Sequence, residues 1–141
     1  MSLQATPAAV PGLPSAALQV AAGQFCSFVM VSDGSIWAWG RNSEYGDLGV
    51  GGAREHHLSP VRVDGYGADT SARLPLGGNM ARHMFVVLPD GTVKGSGANG
   101  NGQMGVGGTT DVRTAVAIPQ LGSDVLQISR GERHTLVLKG E

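Results

Sequence analysis

The amino-acid sequence predicts an all-β fold made of β-propeller blades, each with four short antiparallel strands, and three observations lead to this class. Glycine supplies 23 of the 141 residues and is spread over turn-like positions, without the Gly-X-Y period of collagen. The segment FVMVSDG at residues 28–34 returns as FVVLPDG at residues 85–91. No stretch keeps a helical hydrophobic period over two turns. A recurrence at this spacing indicates a repeat architecture, and short strands in units of this size are typical of propeller blades.

The first unit begins with two apolar strands and a tight turn. Residues 18–22 form a short apolar run that Gly23 ends, and residues 25–31 follow with apolar side chains on both faces. A strand with two apolar faces is expected between two packed layers. Asp33-Gly34 then predicts a type I′ hairpin turn, in which both central residues have φ > 0.

The second half of the first unit contains a strand, a long loop and a final strand. Residues 35–40 alternate with a period of two, which places Ile36 and Ala38 on one face and the two tryptophans on the other. Residues 41–58 are rich in Gly, Asn and Ser and are predicted as a loop. Residues 59–63 are predicted as the fourth strand, on the outer edge, because a proline cannot donate to a central ladder.

A second unit repeats this order less faithfully, and a third begins after it. The predicted strands are residues 74–78, 84–88, 92–97 and 115–118 in the second unit and residues 125–129 and 134–138 in the third. We expect a partial propeller of about two full blades and two partial ones. The predicted divisions are a disordered leader at 1–6, the last strand of a preceding repeat at 7–17 (residues 8–13 being the strand), a first blade at 18–73, a second at 74–122 and the start of a third at 123–141.

These units resemble a known repeat family. Their shared pattern is a small residue and glycine, a histidine position, an apolar strand, Asp-Gly, Trp-x-Trp-Gly-x-Asn and Gly-x-Leu-Gly-x-Gly. The pattern covers residues 17–140 and is similar to the regulator of chromosome condensation repeat. Cys26 replaces the histidine in the first unit, whereas His83 and His134 keep it. The resemblance implies a propeller ring of about seven blades and a structural role for these histidines, in hydrogen bonds to a neighbouring turn.

The overall charge argues against nucleic acid as a partner. The formal net charge is −1 and the isoelectric point about 6.4, so no basic field attracts phosphates. No stretch approaches the roughly 18 apolar residues of a membrane-spanning helix, and the N-terminal residues lack the pattern of a signal peptide. We expect a soluble, intracellular protein that binds neither nucleic acid nor membrane, although no residue motif specifies a compartment.

Motifs that look like chemical sites are better explained by the repeat. G-x-G-x-x-G occurs at residues 95–100 and 100–105, but no helix follows to hold a pyrophosphate. The run at residues 54–57, Arg-Glu-His-His, lacks the spacing of metal ligands. Cys26 occupies a repeat position and is expected to be a small buried side chain. No nucleophile–base pair or pair of carboxylates stands out, so we expect no enzymatic activity, no cofactor and no metal.

What remains is a rigid scaffold with one long loop in each unit, at residues 42–58 and 99–114. Loops held on a rigid scaffold are common binding sites. The sequence therefore favours a non-enzymatic protein-interaction module whose inter-strand loops contact a protein partner. The candidate partner-binding residues are Arg41, Tyr45, Arg54, His56, His57 and Arg113.

Two alternative functions stay open. The family resemblance includes guanine-nucleotide exchange factors for small GTPases, and this chain would then be part of a longer seven-bladed propeller. It also includes inhibitors and structural subunits of larger assemblies. Since fold does not determine function, the resemblance does not choose among them. In each case we expect further copies of the chain, or the rest of a longer chain, to complete the ring.

Overall fold

The computed structural model describes residues 5–52, 54–67, 69–75, 78 and 80–140. These residues form antiparallel strands and one 3-10 turn, Pro119–Leu121, which confirms the all-β prediction. None of the described helical segments is long and apolar enough to cross a membrane. The strands are β1 Ala17–Ala22, β2 Cys26–Val31, β3 Ile36–Asn42, β4 Glu55–Val63, β5 His83–Val87, β6 Val93–Gly97, β7 Val112–Ala117, β8 Val125–Arg130 and β9 Thr135–Lys139.

Three sheets follow one another along the chain: a first blade in the order β1-β2-β3-β4, a second in the order β5-β6-β7 and a third made of β8 and β9. The second blade also has an isolated bridge, in which Arg73 and Val87 exchange backbone hydrogen bonds of 2.8 and 3.0 Å. The strand predicted at residues 74–78 lies partly outside the described residues. The partial propeller was therefore predicted correctly as a class, and the described residues of the second blade form a sheet of three strands.

The predicted strand at residues 8–13 is wrong, because this segment has no strand conformation and contains a turn at Pro11 and Gly12. A strand needs a neighbouring ladder for its backbone groups. Residues 8–13 pair with none of the described strands, so their short apolar run alone does not produce one.

The Asp33-Gly34 hairpin forms where it was predicted, but not as a type I′ turn. Gly34 has φ 83°, whereas Asp33 is not among the described residues with positive φ. The Asp33 carboxylate accepts hydrogen bonds from the Ser35 amide at 2.8 Å and from the Ser35 hydroxyl at 2.6 Å. This side-chain bond is an alternative way to stabilise a turn, and it leaves only the glycine in the left-handed region.

The long loop of the first unit is shorter than predicted, because β4 begins at Glu55 rather than after residue 58. The first residues of β4 pair with the end of β3, where Gly40 lies opposite His57 and Arg41 opposite His56. Gly40 has φ 108°, and a Cβ there would lie 2.4 Å from the Phe25 carbonyl oxygen. This glycine permits the bulge that redirects β3 toward β4. Polar residues fit β4 because most of its side chains face solvent.

The core lies between the blades and not within any one of them. Phe28 and Met30 of the first blade pack in one apolar cluster with Met84 of the second. On the other face of the second blade, Phe85 packs in a separate cluster with Ile128 of the third. Successive residues of β5 therefore point to opposite neighbours, as expected for a strand between two layers. Each blade depends on the next for burial of its side chains.

Candidate functional site

The inter-strand loops of all three blades meet on one side of the molecule. One cavity of about 380 Å³ is lined by Gln24 from the β1–β2 turn, Tyr45 from the β3–β4 loop, Asn101 from the β6–β7 loop and Glu132 from the β8–β9 turn. We call this side, made of residues 23–25, 43–52, 54, 98–111 and 131–134, the loop surface. Loops of successive repeats thus form one continuous surface.

A buried asparagine holds the base of the first long loop. Asn42 is fully buried at the end of β3. Its side-chain amide donates to the Gly51 carbonyl at 2.9 Å, and its oxygen accepts from the Leu48 amide at 3.3 Å. Leu48 is in turn buried in the core between the first and second blades. The loop is therefore closed by bonds across its base and anchored by an apolar side chain.

The second long loop has the same device in Asn99, which is also fully buried. Asn99 donates to the Gly108 and Thr110 carbonyls at 3.0 Å each and accepts from the Met104 amide at 2.9 Å. Sequence reasoning did not assign this role to the asparagines. Their recurrence in Trp39-Gly40-Arg41-Asn42 and Ser96-Gly97-Ala98-Asn99 was the available signal.

Arg113 joins the two blades at the loop surface. Its guanidinium Nε donates to the Glu44 carbonyl at 3.0 Å, and its own carbonyl accepts from the Gly51 amide at 3.0 Å. Val50 and Thr114 form an isolated bridge beside it. Arg113 lies on β7 rather than in a loop, because β7 begins at Val112. This predicted partner-binding residue therefore also fixes how the first long loop sits on the second blade.

Three of the other candidates share a second cavity, of about 370 Å³. Arg41, Arg54 and His56 line it together with Glu44. The Nε of Arg54 lies 3.4 Å from a carboxylate oxygen of Glu44; the Arg54 side chain is largely exposed and that of Glu44 is partly buried. Arg41 and His56 are opposite residues of β3 and β4 rather than loop residues. The cavity is therefore polar, with cationic groups on several sides and one carboxylate.

The two remaining candidates lie apart. Tyr45 lines the first cavity, as noted above. His57 lines neither cavity; it sits opposite Gly40 with its Nε2 3.9 Å from a Glu55 carboxylate oxygen. The structure thus places five of the six predicted residues at or beside the loop surface and sets His57 to one side.

Cation–aromatic pairs are the chemical feature that sequence reasoning missed. The Arg41 guanidinium lies 5.4 Å from the ring centre of Phe25, which is exposed. The Arg82 guanidinium lies 5.4 Å from the ring centre of Tyr45. Among the described residues, Arg41, Arg82 and Arg113 form no ion pair with a carboxylate. The Nε of Arg82 donates to the Gln24 side-chain oxygen and that of Arg113 to the Glu44 carbonyl, so each guanidinium is held in place without a carboxylate.

Three titratable groups with shifted pKa values, His83, Cys26 and Arg130, lie behind the loop surface, between blades. Burial, with the nearby Arg130 and His134, lowers the pKa of His83 to about 4. Its Nε2 hydrogen-bonds the Thr135 hydroxyl at 3.0 Å, across to the third blade. Burial raises the pKa of the Cys26 thiol to about 11, so it stays a protonated, buried side chain. Cys26 is the small buried side chain that was predicted, whereas the His83 ring bonds the first residue of β9 and not a neighbouring turn as predicted.

Arg130 connects all three blades at this buried junction. It starts from β8, and its guanidinium donates to the His83 carbonyl at 2.7 Å and to the Ala22 carbonyl at 2.9 Å. Burial lowers its pKa to about 10, which leaves it charged at neutral pH. In the part of the chain that the structure describes, no three His, Cys, Asp or Glu side chains are grouped as metal ligands.

Known proteins share both the sequence pattern and this fold. The sequence profile of the regulator of chromosome condensation (RCC1) repeat matches residues 18–46. The human probable E3 ubiquitin-protein ligase HERC3 is 34% identical over 122 residues, which cover 86% of this chain and 11% of that protein. The zebrafish (Danio rerio) protein RCC2 homolog is 28% identical and covers 79% of this chain and 22% of that protein.

The fold comparison agrees. The crystal structure of Prp20p from Saccharomyces cerevisiae superposes with a TM-score of 0.74 at 17% identity, over 94% of this chain and 33% of that one. The chain therefore spans about a tenth of the length of the human ligase and a third of the yeast propeller chain. The sequence profile and these relatives place the chain among proteins that carry regulator of chromosome condensation repeats.

Proposed function

We propose that this chain is a non-enzymatic interaction domain whose loop surface binds a protein partner. The observation that carries the proposal is the pairing of guanidinium groups with aromatic rings at the loop surface, at Arg41 with Phe25 and Arg82 with Tyr45. Arginine and aromatic side chains are enriched in protein interfaces and dominate their binding energy. Since asparagine bonds hold these loops, little ordering is needed on binding.

The position of the shifted titratable groups supports binding rather than catalysis. His83, Cys26 and Arg130 are buried between blades and line none of the cavities described above. A general acid or base must come within hydrogen-bonding distance of its substrate. These three groups are therefore placed to stabilise blade packing.

Guanine-nucleotide exchange on a small GTPase is the second candidate function. It rests on the family and on Prp20p, for which binding to Gsp1p and to histones has been described. The ligase activity in the name of HERC3 belongs to a protein of which this chain matches 11%. An inhibitory or structural role within a larger assembly is a third candidate. In each case, further copies or the rest of a longer chain would complete the ring.

The test is capture of a partner from cell extract by the whole chain, followed by titration of the identified protein. We expect the double variant Arg41→Ala, Arg82→Ala to weaken binding roughly thirtyfold or more, as for central interface arginines. Arg62→Ala is the matched control, since Arg62 is an exposed arginine of β4 opposite Trp37. Circular dichroism should show unchanged folding in both.

Equal binding by the wild type, the double variant and the control would reject the loop surface as the binding site. A nucleotide-release assay with purified small GTPases and fluorescent GDP distinguishes guanine-nucleotide exchange from simple binding. If the chain accelerates GDP release and the double variant does not, exchange activity replaces simple binding as the function.

A further inference from the structure

Gly40 and Gly97 show how the first two blades correspond at the loop surface. Their φ angles are 108° and 113°. Gly40 lies opposite His57 and Gly97 opposite Val112, and in both blades the register of the strand pair shifts just before the glycine. Residues on the loop side of these two glycines can therefore be compared one by one.

A cavity follows these glycines in both blades. In the first blade, Arg41 and His56 line a cavity of about 370 Å³. Ala98 and Asp111 hold the corresponding places in the second blade and line the cavity of about 380 Å³. The second cavity is open although the first blade lies before it and the third after it. An open cavity at this place is therefore a property of the repeat and does not depend on where the sequence starts.

The two cavities differ in charge. We call the one in the first blade the cationic cavity; its lining residues are Arg41, Asn42, Ser43, Glu44, Arg54 and His56. In the second blade, the uncharged Ala98 stands in place of Arg41, and the acidic Asp111 stands in place of His56. The repeat therefore does not require cationic side chains at these places for its fold.

The cationic cavity holds more positive charge than its own carboxylate neutralises. A Glu44 carboxylate oxygen lies 3.4 Å from the Arg54 Nε, whereas Arg41 forms an ion pair with none of the described carboxylates. The pKa of Glu44 is lowered first by a hydrogen bond from its own backbone amide and then by Arg54, Arg41 and Arg82. Several guanidinium groups therefore act together on a carboxylate placed here.

The backbone of Arg54 is also unusual. Arg54 has φ 53° and is the one described residue other than glycine with a positive φ. This conformation costs free energy for a residue with a side chain, and a glycine would avoid that cost. The presence of an arginine there favours a function for its guanidinium, which lines the cationic cavity.

We propose that the cationic cavity binds side-chain carboxylates from an acidic segment of the protein partner. The proposal rests on partner binding at the loop surface and specifies the chemistry of that partner. The occupant follows from charge complementarity, because a guanidinium binds a carboxylate through two parallel N–H···O bonds. Arg41 is already oriented by its contact with the Phe25 ring, and the exposed His56 adds a hydrogen-bonding imidazole.

Fluorescence polarisation measures this with the whole chain and a labelled peptide that alternates glutamate and glycine. We expect saturable binding that weakens with added salt, because salt screens the attraction between exposed charges. Peptides of the same length with lysine or glutamine in place of glutamate should not bind. A peptide with phosphoserine in place of glutamate shows whether phosphate is the true ligand; binding of that peptide alone would overturn the choice of carboxylates.

Variants with effects of opposite sign separate the cavity from nonspecific attraction. Arg54→Ala should weaken binding of the glutamate peptide roughly threefold, and Arg41→Ala roughly tenfold, as for an exposed and a partly buried charge pair. Glu44→Gln should strengthen binding roughly twofold to threefold, because it removes the competing carboxylate. Arg62→Ala and Asp64→Asn are the matched controls: they make the same charge changes at exposed positions at the other end of β4 and should leave binding unchanged.

The proposal is wrong if the glutamate peptide shows no saturable binding up to about 1 mM, or if the cavity variants and the controls behave alike. The same variants are then measured with the captured partner. If Arg41→Ala, Arg82→Ala weakens partner binding but Arg54→Ala and Glu44→Gln do not change it, the loop surface binds its partner without the cationic cavity, and only this inference fails. If the double variant itself binds the partner as the wild type does, the proposed function fails.

Discussion

At the scale of single residues, buried polar side chains form hydrogen bonds that join one blade to another. Arg130 spans to the first and second blades through the Ala22 and His83 carbonyls. His83 bonds across to Thr135, whose hydroxyl donates to the Gln103 carbonyl at 2.8 Å. Buried polar groups stabilise a fold when their hydrogen bonds are made, and removing one partner is costly. Blade packing is thus specified by polar contacts as well as by apolar area.

His83 makes stability depend on pH. Its pKa is about 4 in the folded protein, against 6.5 for a free side chain, because burial and the nearby Arg130 and His134 disfavour the charged ring. Below pH 6.5 the unfolded chain binds a proton that the folded chain does not. The free energy of unfolding should therefore fall as the pH drops from about 6.5 to about 4, by about 3 kcal/mol, and be unaffected by this group above pH 7.

Urea unfolding at a series of pH values measures this dependence. His83→Gln, which keeps a hydrogen-bonding side chain, should flatten the curve in that window. His134→Gln changes an exposed histidine and should leave most of the slope in place. Burial raises the pKa of Asp47, so this carboxyl group makes the free energy of unfolding rise as the pH falls, opposite to His83. Both variants retain Asp47, so its contribution cancels in the comparison. An unchanged slope in His83→Gln would show that another group titrates there.

At the scale of elements, the loops are ordered by the strands that flank them. Asn42 at the end of β3 and Asn99 just after β6 each satisfy backbone groups across the base of a long loop. Leu48 and Met104 place an apolar side chain from each loop into the core. Loops fixed in this way present a defined surface, which is what recognition of a partner needs.

Asn99→Ala should destabilise the second blade. It leaves the Met104 amide and the Gly108 and Thr110 carbonyls without their side-chain partner, at about 1–3 kcal/mol for each buried group left unsatisfied. We expect a loss of at least about 2 kcal/mol in urea unfolding. Asn101→Ala, in the exposed part of the same loop, should change stability by less than about 0.5 kcal/mol. Equal stability of the two variants would mean that the loop is held by other contacts.

At the scale of the whole molecule, stability comes from contacts between blades. Phe28 and Phe85 lie at equivalent places in β2 and β5, are 2% and 1% exposed, and pack in the two separate clusters. A chain organised in this way has contacts mainly between neighbouring units, so its stability depends on unit interfaces.

Phe28→Ala or Phe85→Ala should each lower the free energy of unfolding by about 3–5 kcal/mol, as for a buried aromatic side chain in a close-packed core. Arg54→Ala, on the exposed loop, should cost less than about 0.5 kcal/mol. Thermal unfolding of the three variants compares them. A Phe28→Ala variant with the melting temperature of the wild type would contradict the assigned register.

Much of the architecture follows from the sequence by itself. Period-two alternation around Ile36 and Ala38, the two Asp-Gly hairpins and the recurrence of residues 28–34 are local signals, since they depend on side chains a few positions apart. They predicted the all-β class, the order of units, the burial of Phe28 and Phe85, and the structural placement of His83. Equivalent strands of successive blades are buried between the same kinds of neighbours, so their pattern of apolar and polar residues recurs as well.

Only the tertiary structure decided how the units meet. Glu55 to His57 carry no apolar alternation and look like a loop, yet they form a strand because β3 supplies a ladder for their backbone. The Arg82 guanidinium packs against the Tyr45 ring, and the Arg130 guanidinium donates a hydrogen bond to the Ala22 carbonyl. Both contacts join residues that are far apart in the sequence. Such contacts depend on the angle and spacing of packed blades, which no local pattern encodes. For this reason the sequence predicted the scaffold, whereas the aromatic–arginine pairs required the fold.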